Sequence, residues 1–222
     1  MEYKKLKEYP KGRIALFVHH PRCSIQSVNG IIKSLEKHYV FKTFTKHEIE
    51  DGFFDDVDIV CFAGGIGDSD AYDFLFRDNG NTIRGYIQNG GRYLGICMGA
   101  YWADRHYFNI LHGTTSEQYI RRPETCTKRY YSKAIECNWN GTNDRFFFYD
   151  GPAFIGNEST FETIARYTNG DPAAIIQGRI GLVGPHLESQ EFWYDKPYLH
   201  KHWHKGTHGN LLLNFVDRLM EK

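Results

Sequence analysis

Arg92-Tyr93-Leu94-Gly95-Ile96-Cys97-Met98-Gly99-Ala100 decides the fold. Arg92–Ile96 (RYLGI) is a short apolar run of strand character, and it leads without a linker into Cys97-Met98-Gly99-Ala100 and then into helical sequence. A cysteine between closely spaced glycines at such a junction has the form of a nucleophile elbow. There a sharp strand-to-helix turn projects the reactive side chain, and the glycines permit close packing around it. In an open α/β sheet that position is the carboxyl end of a strand, where ligands collect. The start of a helix also favours a thiolate through its free N–H groups and dipole. The competing reading is a buried structural cysteine in a glycine-rich turn.

Outward from this stretch the pattern is strand, helix, strand. Arg13–Val18 (RIALFV) reads as a buried strand opening into His19-His20-Pro21. Ser24 caps a helix from Ile25 to about Lys37, with Ile25, Val28, Ile31, Ile32 and Leu35 on one face. Tyr39–Phe44 and Val57–Ala63 are further strands, the latter stopping at Gly64-Gly65. A helix over Thr82–Gln88 ends at Asn89-Gly90-Gly91. This alternation predicts an α/β fold with a mostly parallel central sheet and helices on both faces.

Tyr130–Phe148 breaks the pattern. It is rich in Tyr, Phe, Trp and Asn, with turn signals at Asn140-Gly141 and Asp150-Gly151-Pro152, and predicts antiparallel hairpins in or beside the main sheet. Thr163–Thr168 and Ala173–Ile176 pair around Asn169-Gly170-Asp171. Ile180–Val183 is a late strand, and Gly209–Lys222 is an amphipathic helix. No repeat or clear linker divides the chain, so residues 1–222 are expected to form one domain.

Composition bounds the function. Apolar residues make up 41% of the 222, and Lys+Arg and Asp+Glu are both 27, so no basic excess argues for nucleic acid. Basic residues within Met1–Lys11 read as a solvated arm. The five cysteines (Cys23, Cys61, Cys97, Cys126, Cys137) are odd in number and widely spaced, which fits a reducing compartment. The charged N-terminus lacks an apolar signal core, and no window approaches the ~18 apolar residues of a membrane span. The expectation is a cytoplasmic protein with no membrane partner.

Two further segments join Cys97. Gly184-Pro185-His186-Leu187-Glu188 follows an apolar strand, and a His two positions before a Glu can share one side of an extended segment. The carboxylate can then orient the imidazole while the imidazole takes the thiol proton. Alone, His-x-Glu is a common surface pair. Behind a strand and downstream of a cysteine elbow it makes a coherent Cys97–His186–Glu188 set. Gly64-Gly65 supplies backbone without side chains, so the N–H groups of Gly65 and Met98 are the candidate oxyanion donors, and Gly64 and Gly99 candidate substrate-binding positions. The competing reading of Gly64-Gly65 is a tight phosphate-type loop, which lacks a GKS or GxGxxG context.

Other residues have plainer readings. Alternation of His200, His202 and His204, with His208 nearby, would suit zinc on an extended strand. A polar loop packed by Trp203 is the favoured reading, so no metal is expected. His19 and His20 read as loop residues. Asp68, Asp70 and Tyr72 border the glycine loop without an assigned role, and Cys126 and Cys137 read as reduced and structural.

Ala63-Gly64-Gly65, Leu94–Tyr101 and Gly184–Glu188 together resemble the class I glutamine amidotransferase superfamily. Above all they are similar to the amidotransferase-like domain at the N-terminus of fungal biotin–protein ligases. The likeness runs from about Arg13 to Ser189 and takes in Asn89-Gly90-Gly91, the aromatic strand leading to Asp150-Gly151-Pro152, and Ala173–Ile176. It implies a flavodoxin-like sheet and a thioester-forming Cys97–His186–Glu188 triad with an oxyanion hole near Gly65 and Met98. It further implies glutamine as the amide substrate, ammonia passed to a separate synthetase, and no cofactor. Ala63 and Leu187 stand where that family usually has proline, and neither change removes a reacting group. No ligase domain is recognised, so biotin ligation is not expected. A stand-alone cysteine peptidase or small-amide hydrolase, and a non-catalytic regulatory module, are the alternatives.

Overall fold

The computed structural model describes residues 10–18, 24–50, 52–65 and 73–222, with the side chains of 73–78 outside the description. His19, His20, Cys23, Asp68, Asp70, Tyr72 and most of the basic N-terminal stretch lie outside the described residues. The strands are β1 Arg13–Phe17, β2 Val40–Phe44, β3 Ile59–Phe62, β4 Arg92–Ile96, β5 Thr114–Gln118 and β6 Lys133–Trp139, then β7 Thr142–Phe148, β8 Pro152–Gly156, β9 Glu162–Tyr167, β10 Pro172–Gln177 and β11 Ile180–Val183. The helices are α1 Ile25–Leu35, α2 Asp73–Gln88, α3 Met98–Tyr101 and α4 His208–Met220.

A 9-stranded sheet runs in the order β2-β1-β3-β4-β11-β10-β9-β6-β7. Neighbours from β2 to β11 pair in parallel, and those from β11 to β7 are antiparallel. Side-chain alternation divides the core between the two faces. Ile14, Leu16, Ile59, Cys61, Leu94 and Ile96 pack with Val28, Ile31 and Leu35 of α1 and Leu212, Phe215 and Leu219 of α4. Ala15, Phe17, Val60, Phe62 and Tyr93 face the other way, against Ile83, Trp102 and Phe108. This is the expected three-layer α/β arrangement, and each fully buried Leu, Ile or Phe contributes about 1.5–3 kcal/mol.

Local chemistry explains the ends of several elements. The Ser24 hydroxyl accepts from the Ser27 N–H at 3.3 Å and caps α1. The β6–β7 hairpin turns through Asn140 and Gly141, whose φ angles of 48° and 87° suit a tight two-residue turn. Gly170, at φ 89°, turns β9 into β10.

Three features differ from the sequence reading. Helix α2 begins at Asp73 rather than Thr82, running through Asp78-Asn79-Gly80-Asn81; there Arg84 donates to the Phe108 carbonyl at 2.8 Å and Ile83 is buried, so tertiary anchoring overrides weak local propensity. The helix after Cys97 has four residues, Met98–Tyr101, so its dipole is a small contributor at the thiol. Strands β5 and β8 form a separate antiparallel ribbon with Thr114 opposite Gly156 and Gln118 opposite Pro152. Their pairing is non-local, and the polar Thr-Thr-Ser-Glu-Gln of β5 carries no apolar alternation to announce it.

The close approach of α3 to β3 depends on Gly99, because a Cβ there would collide with the Phe62 backbone carbonyl. Gly99→Ala is expected to lower unfolding free energy by about 1–3 kcal/mol, read from urea denaturation, since the obstacle is backbone and cannot rotate away.

Candidate active site

Cys97 follows β4 with φ 51° and ψ −106°, a conformation that a non-glycine residue rarely adopts. The surroundings hold it there. A Cβ at Gly95 would strike the Gly99 carbonyl and the Ala100 backbone, so the chain doubles back on itself here because Gly95 is bare. The buried Tyr93 hydroxyl donates to the Gly99 carbonyl at 2.6 Å and braces the turn. The Cys97 N–H donates to the Val183 carbonyl of β11 at 2.8 Å, and its sulfur lies 3.7 Å from the Tyr149 carbonyl.

The partner strand delivers the second group. Val183 pairs with Ile96, so the residues leaving β11 emerge beside those leaving β4. The His186 N–H donates to the Phe147 carbonyl at 2.8 Å, an isolated antiparallel bridge that aligns the segment with β7. His186 Nδ1 stands 2.8 Å from Glu188 Oε1, and the ring lines the same cleft as Cys97. The ring carries one face of the site between Phe147, at 5.9 Å between centroids, and Trp193, at 5.2 Å. Leu187, between His186 and Glu188, is fully buried in the core, so the alternation of the extended segment separates the polar pair from the apolar residue.

Glu188 is 1% exposed. Its Oε1 accepts from the Ser27 hydroxyl at 2.5 Å as well as facing His186, while Oε2 is buried with no partner among the described residues. Burial opposes a charged imidazole at His186, but the Glu188 carboxylate foremost, and then the Cys97 sulfur, outweigh it and hold the ring above its ordinary 6.5, at about 10. The buried Glu188 carboxylate thus favours the charged form of the ring.

A cleft of about 1150 Å³ opens over these residues. Cys97, Met98, Gly65, His186, Asp150 and Trp193 line it. Gly64 lies against the imidazole instead, where a Cβ would stand 2.7 Å from His186 Cε1. Gly99 is a packing residue turned toward Phe62. Sequence reading passes over Ser27, a 0% exposed serine on the buried face of α1, because nothing in its neighbourhood marks it apart from a helix-capping pattern.

The histidines near the C-terminus do not form an extended ligand strand. His200–His202 is a 3₁₀ turn, His204 stacks on His208 at 3.8 Å, and His208 reaches Asp144 at 3.0 Å. Trp203 packs on His204 and Tyr194, the aromatic packing anticipated for this loop. Burial and then the neighbouring His208 push His204 down to about 3, so it is neutral at ordinary pH. Among the described residues no cluster of three or more His, Cys, Asp or Glu is arranged for a metal ion, and Cys61, Cys97, Cys126 and Cys137 are not joined in disulfides.

Comparison with known proteins agrees with this architecture. Residues 14–119 match the family model described as "Biotin-protein ligase, N terminal", a span that takes in Gly64-Gly65 and Cys97 and ends before His186. An uncharacterized protein of Chlamydia muridarum is 31% identical over 133 residues, which cover 48% of this chain and 51% of that protein. The chain therefore spans about half the length of the curated relative it matches. A glutamine amidotransferase from Thermotoga maritima superposes with a TM-score of 0.69 at 14% identity, covering 96% of this chain and 100% of that one. The PurLQS structure from Thermotoga maritima gives a TM-score of 0.63 at 15% identity, covering 92% and 99%. A putative GMP synthase component from Thermoplasma acidophilum gives 0.62 at 15% identity, covering 95% and 94%. The chain has the flavodoxin-like fold of the class I glutamine amidotransferases.

Because the folded imidazole is held above its unfolded value, the stabilisation it brings is complete below pH 6.5 and is lost as pH rises through about 10. Urea midpoints measured between those values are expected to fall with pH in the native chain. Glu188→Gln, which removes the largest attraction on the ring, is expected to flatten that fall.

Proposed function

We propose that this chain, built on the glutamine amidotransferase fold, hydrolyses a carbon–nitrogen amide bond through a thioester on Cys97, with residues 1–222 acting as one domain. The observation that carries the reading is the His186–Glu188 pair, Nδ1 to Oε1 at 2.8 Å, on the wall of the same open cleft as Cys97. In this scheme Cys97 attacks the amide carbonyl carbon as the thiolate, with its proton already held on His186, and the imidazolium hands that proton to the departing nitrogen, which leaves as ammonia. Water, activated by the same imidazole, then cleaves the thioester and returns the thiol, releasing the carboxylic acid. Glu188 holds the ring's tautomer and stabilises its charged form. The N–H groups of Gly65 and Met98, both on the cleft wall, are the oxyanion donors in this scheme.

Glutamine is the substrate suggested by the fold, and a separate synthetase the consumer of the ammonia. PurLQS and the GMP synthase component among the structural neighbours support such a partnership. No metal or cofactor enters the scheme. Cysteines outside disulfides among the described residues and an ordinary charge balance fit a cytoplasmic setting, and no described helix is long and apolar enough to cross a membrane. A second reading keeps the same chemistry on a larger amide. The cleft is far roomier than one amino acid needs, and the exposed rings of Tyr130, Tyr149 and Phe192 stand on its walls. A stand-alone peptidase or amide hydrolase would use that space.

A diazoketone analogue of glutamine is expected to form a single adduct on Cys97, found by peptide mass mapping. Glutamate release from glutamine is expected to drop at least about 10³-fold in Cys97→Ala and about 10²–10⁴-fold in Glu188→Gln. Peptide amides turned over in place of glutamine, still dependent on Cys97, would favour the second reading. Absence of both adduct and turnover leaves a non-catalytic module.

A further inference from the structure

We infer that Ser27 is a positioning residue that ties the Glu188 carboxylate to the glycine loop across the site, so that helix α1 sets both the acid and the oxyanion-binding backbone. The inference rests on the reading of Cys97, His186 and Glu188 as the reacting set.

Ser27 is 0% exposed and its hydroxyl makes two contacts. It is 2.5 Å from Glu188 Oε1 and 3.0 Å from the Gly64 backbone nitrogen. The chemistry fixes the roles. The Gly64 N–H can only donate, so the hydroxyl oxygen accepts there, and its single proton goes to the carboxylate. Gly64 then meets the ring from the other side, because its bare α-carbon leaves 2.7 Å between a notional Cβ and His186 Cε1. Ser27, Glu188, His186 and Gly64 therefore close a circuit of contacts around the buried carboxylate. Glu188 sits tightly on the same helix, since a Cβ at Gly30 would collide with the Glu188 carbonyl.

The same helix start orients the neighbouring peptide. The Ser24 N–H donates to the Gly64 carbonyl at 3.2 Å. A trans peptide is planar, with its C=O and the following N–H pointing opposite ways. Holding the Gly64 oxygen toward Ser24 thus turns the Gly65 N–H away from α1, and Gly65 lines the cleft beside Cys97. Ser27 on the Gly64 N–H and Ser24 on the Gly64 C=O together fix the rotation of this peptide pair. Removing the Ser27 hydroxyl would strip one of two donors from Glu188 Oε1 and leave the Gly64 N–H buried without an acceptor.

The test compares Ser27→Ala, Ser27→Cys and Ser27→Thr in the full chain. Turnover of glutamine, or of the best amide found, is expected to lose about 10- to 100-fold in kcat for Ala and Cys, with KM little changed, and to recover largely in Thr, which restores the hydroxyl. The ring ¹⁵N shifts of His186, assigned against His186→Gln, are expected to move in Ala and Cys and to return toward native in Thr. A folded Ser27→Ala or Ser27→Cys chain with native His186 shifts and native kcat overturns the proposal. So does a Thr variant that fails to restore either quantity while remaining as stable as the native chain. Should Ser27→Ala not fold, the near-isosteric Cys variant and its Thr counterpart decide. If the native chain turns over no amide yet the ring shifts respond, the enzymatic reading fails and the Ser27 bridge stands.

Discussion

The parallel pairing of β4 with β11 is the constraint on which the site depends. Val183 lies opposite Ile96, and the Cys97 N–H extends the ladder by donating to the Val183 carbonyl at 2.8 Å. Two strands distant in sequence therefore release their chains at the same edge, pointing the same way. One carries a thiol on a tight bend, the other an imidazole and a carboxylate. A one-residue slip in this pairing would turn every side chain to the opposite face, sending Leu187 into the cleft and His186 into the core. The core prevents the slip, because Leu94 and Ile96 on β4 and Val183 on β11 are buried together with the helices α1 and α4.

Around that register the protein spends stability for geometry. Cys97 sits at a positive φ, which costs about 1–3 kcal/mol for a non-glycine residue. Bare Gly95 makes room for the bend, the Tyr93 hydroxyl braces it, and bare Gly99 lets the helix that follows lie against β3. Glu188 is a buried carboxylate, unfavourable on its own, and it is offset by the imidazole and the Ser27 hydroxyl on one oxygen. The apolar walls of Phe147 and Trp193 keep the ring dry and strengthen its attraction to the carboxylate.

The antiparallel half of the sheet is part of this arrangement. Strand β7 offers the Phe147 carbonyl to the His186 N–H, and the Tyr149 carbonyl that follows lies next to the Cys97 sulfur. The Tyr167 hydroxyl donates to the Pro152 carbonyl at 2.7 Å and pins β8 to the sheet behind it. The β6–β7 hairpin thus buttresses the site, while β5 and β8 close a separate ribbon at one side.

Much of this was legible in the linear order of residues. Short continuous apolar runs marked β1, β3, β4 and β11, the Asn140-Gly141 turn marked a hairpin, and glycines around Cys97 marked a bend, because each signal is local and acts within a few residues. Cys97, His186 and Glu188 stood out for the same reason: each lies just beyond an apolar strand. Long-range pairing left no such mark. The polar β5 strand, the first turns of α2 and the burial of Ser27 all follow from partners far along the chain, which local propensity does not encode. Residue order alone carried the α/β class and the three polar side chains at the strand ends, Cys97, His186 and Glu188. Only the tertiary structure decided their proximity, because the β4–β11 register and the packing of α1 on Glu188 are products of the whole core closing at once.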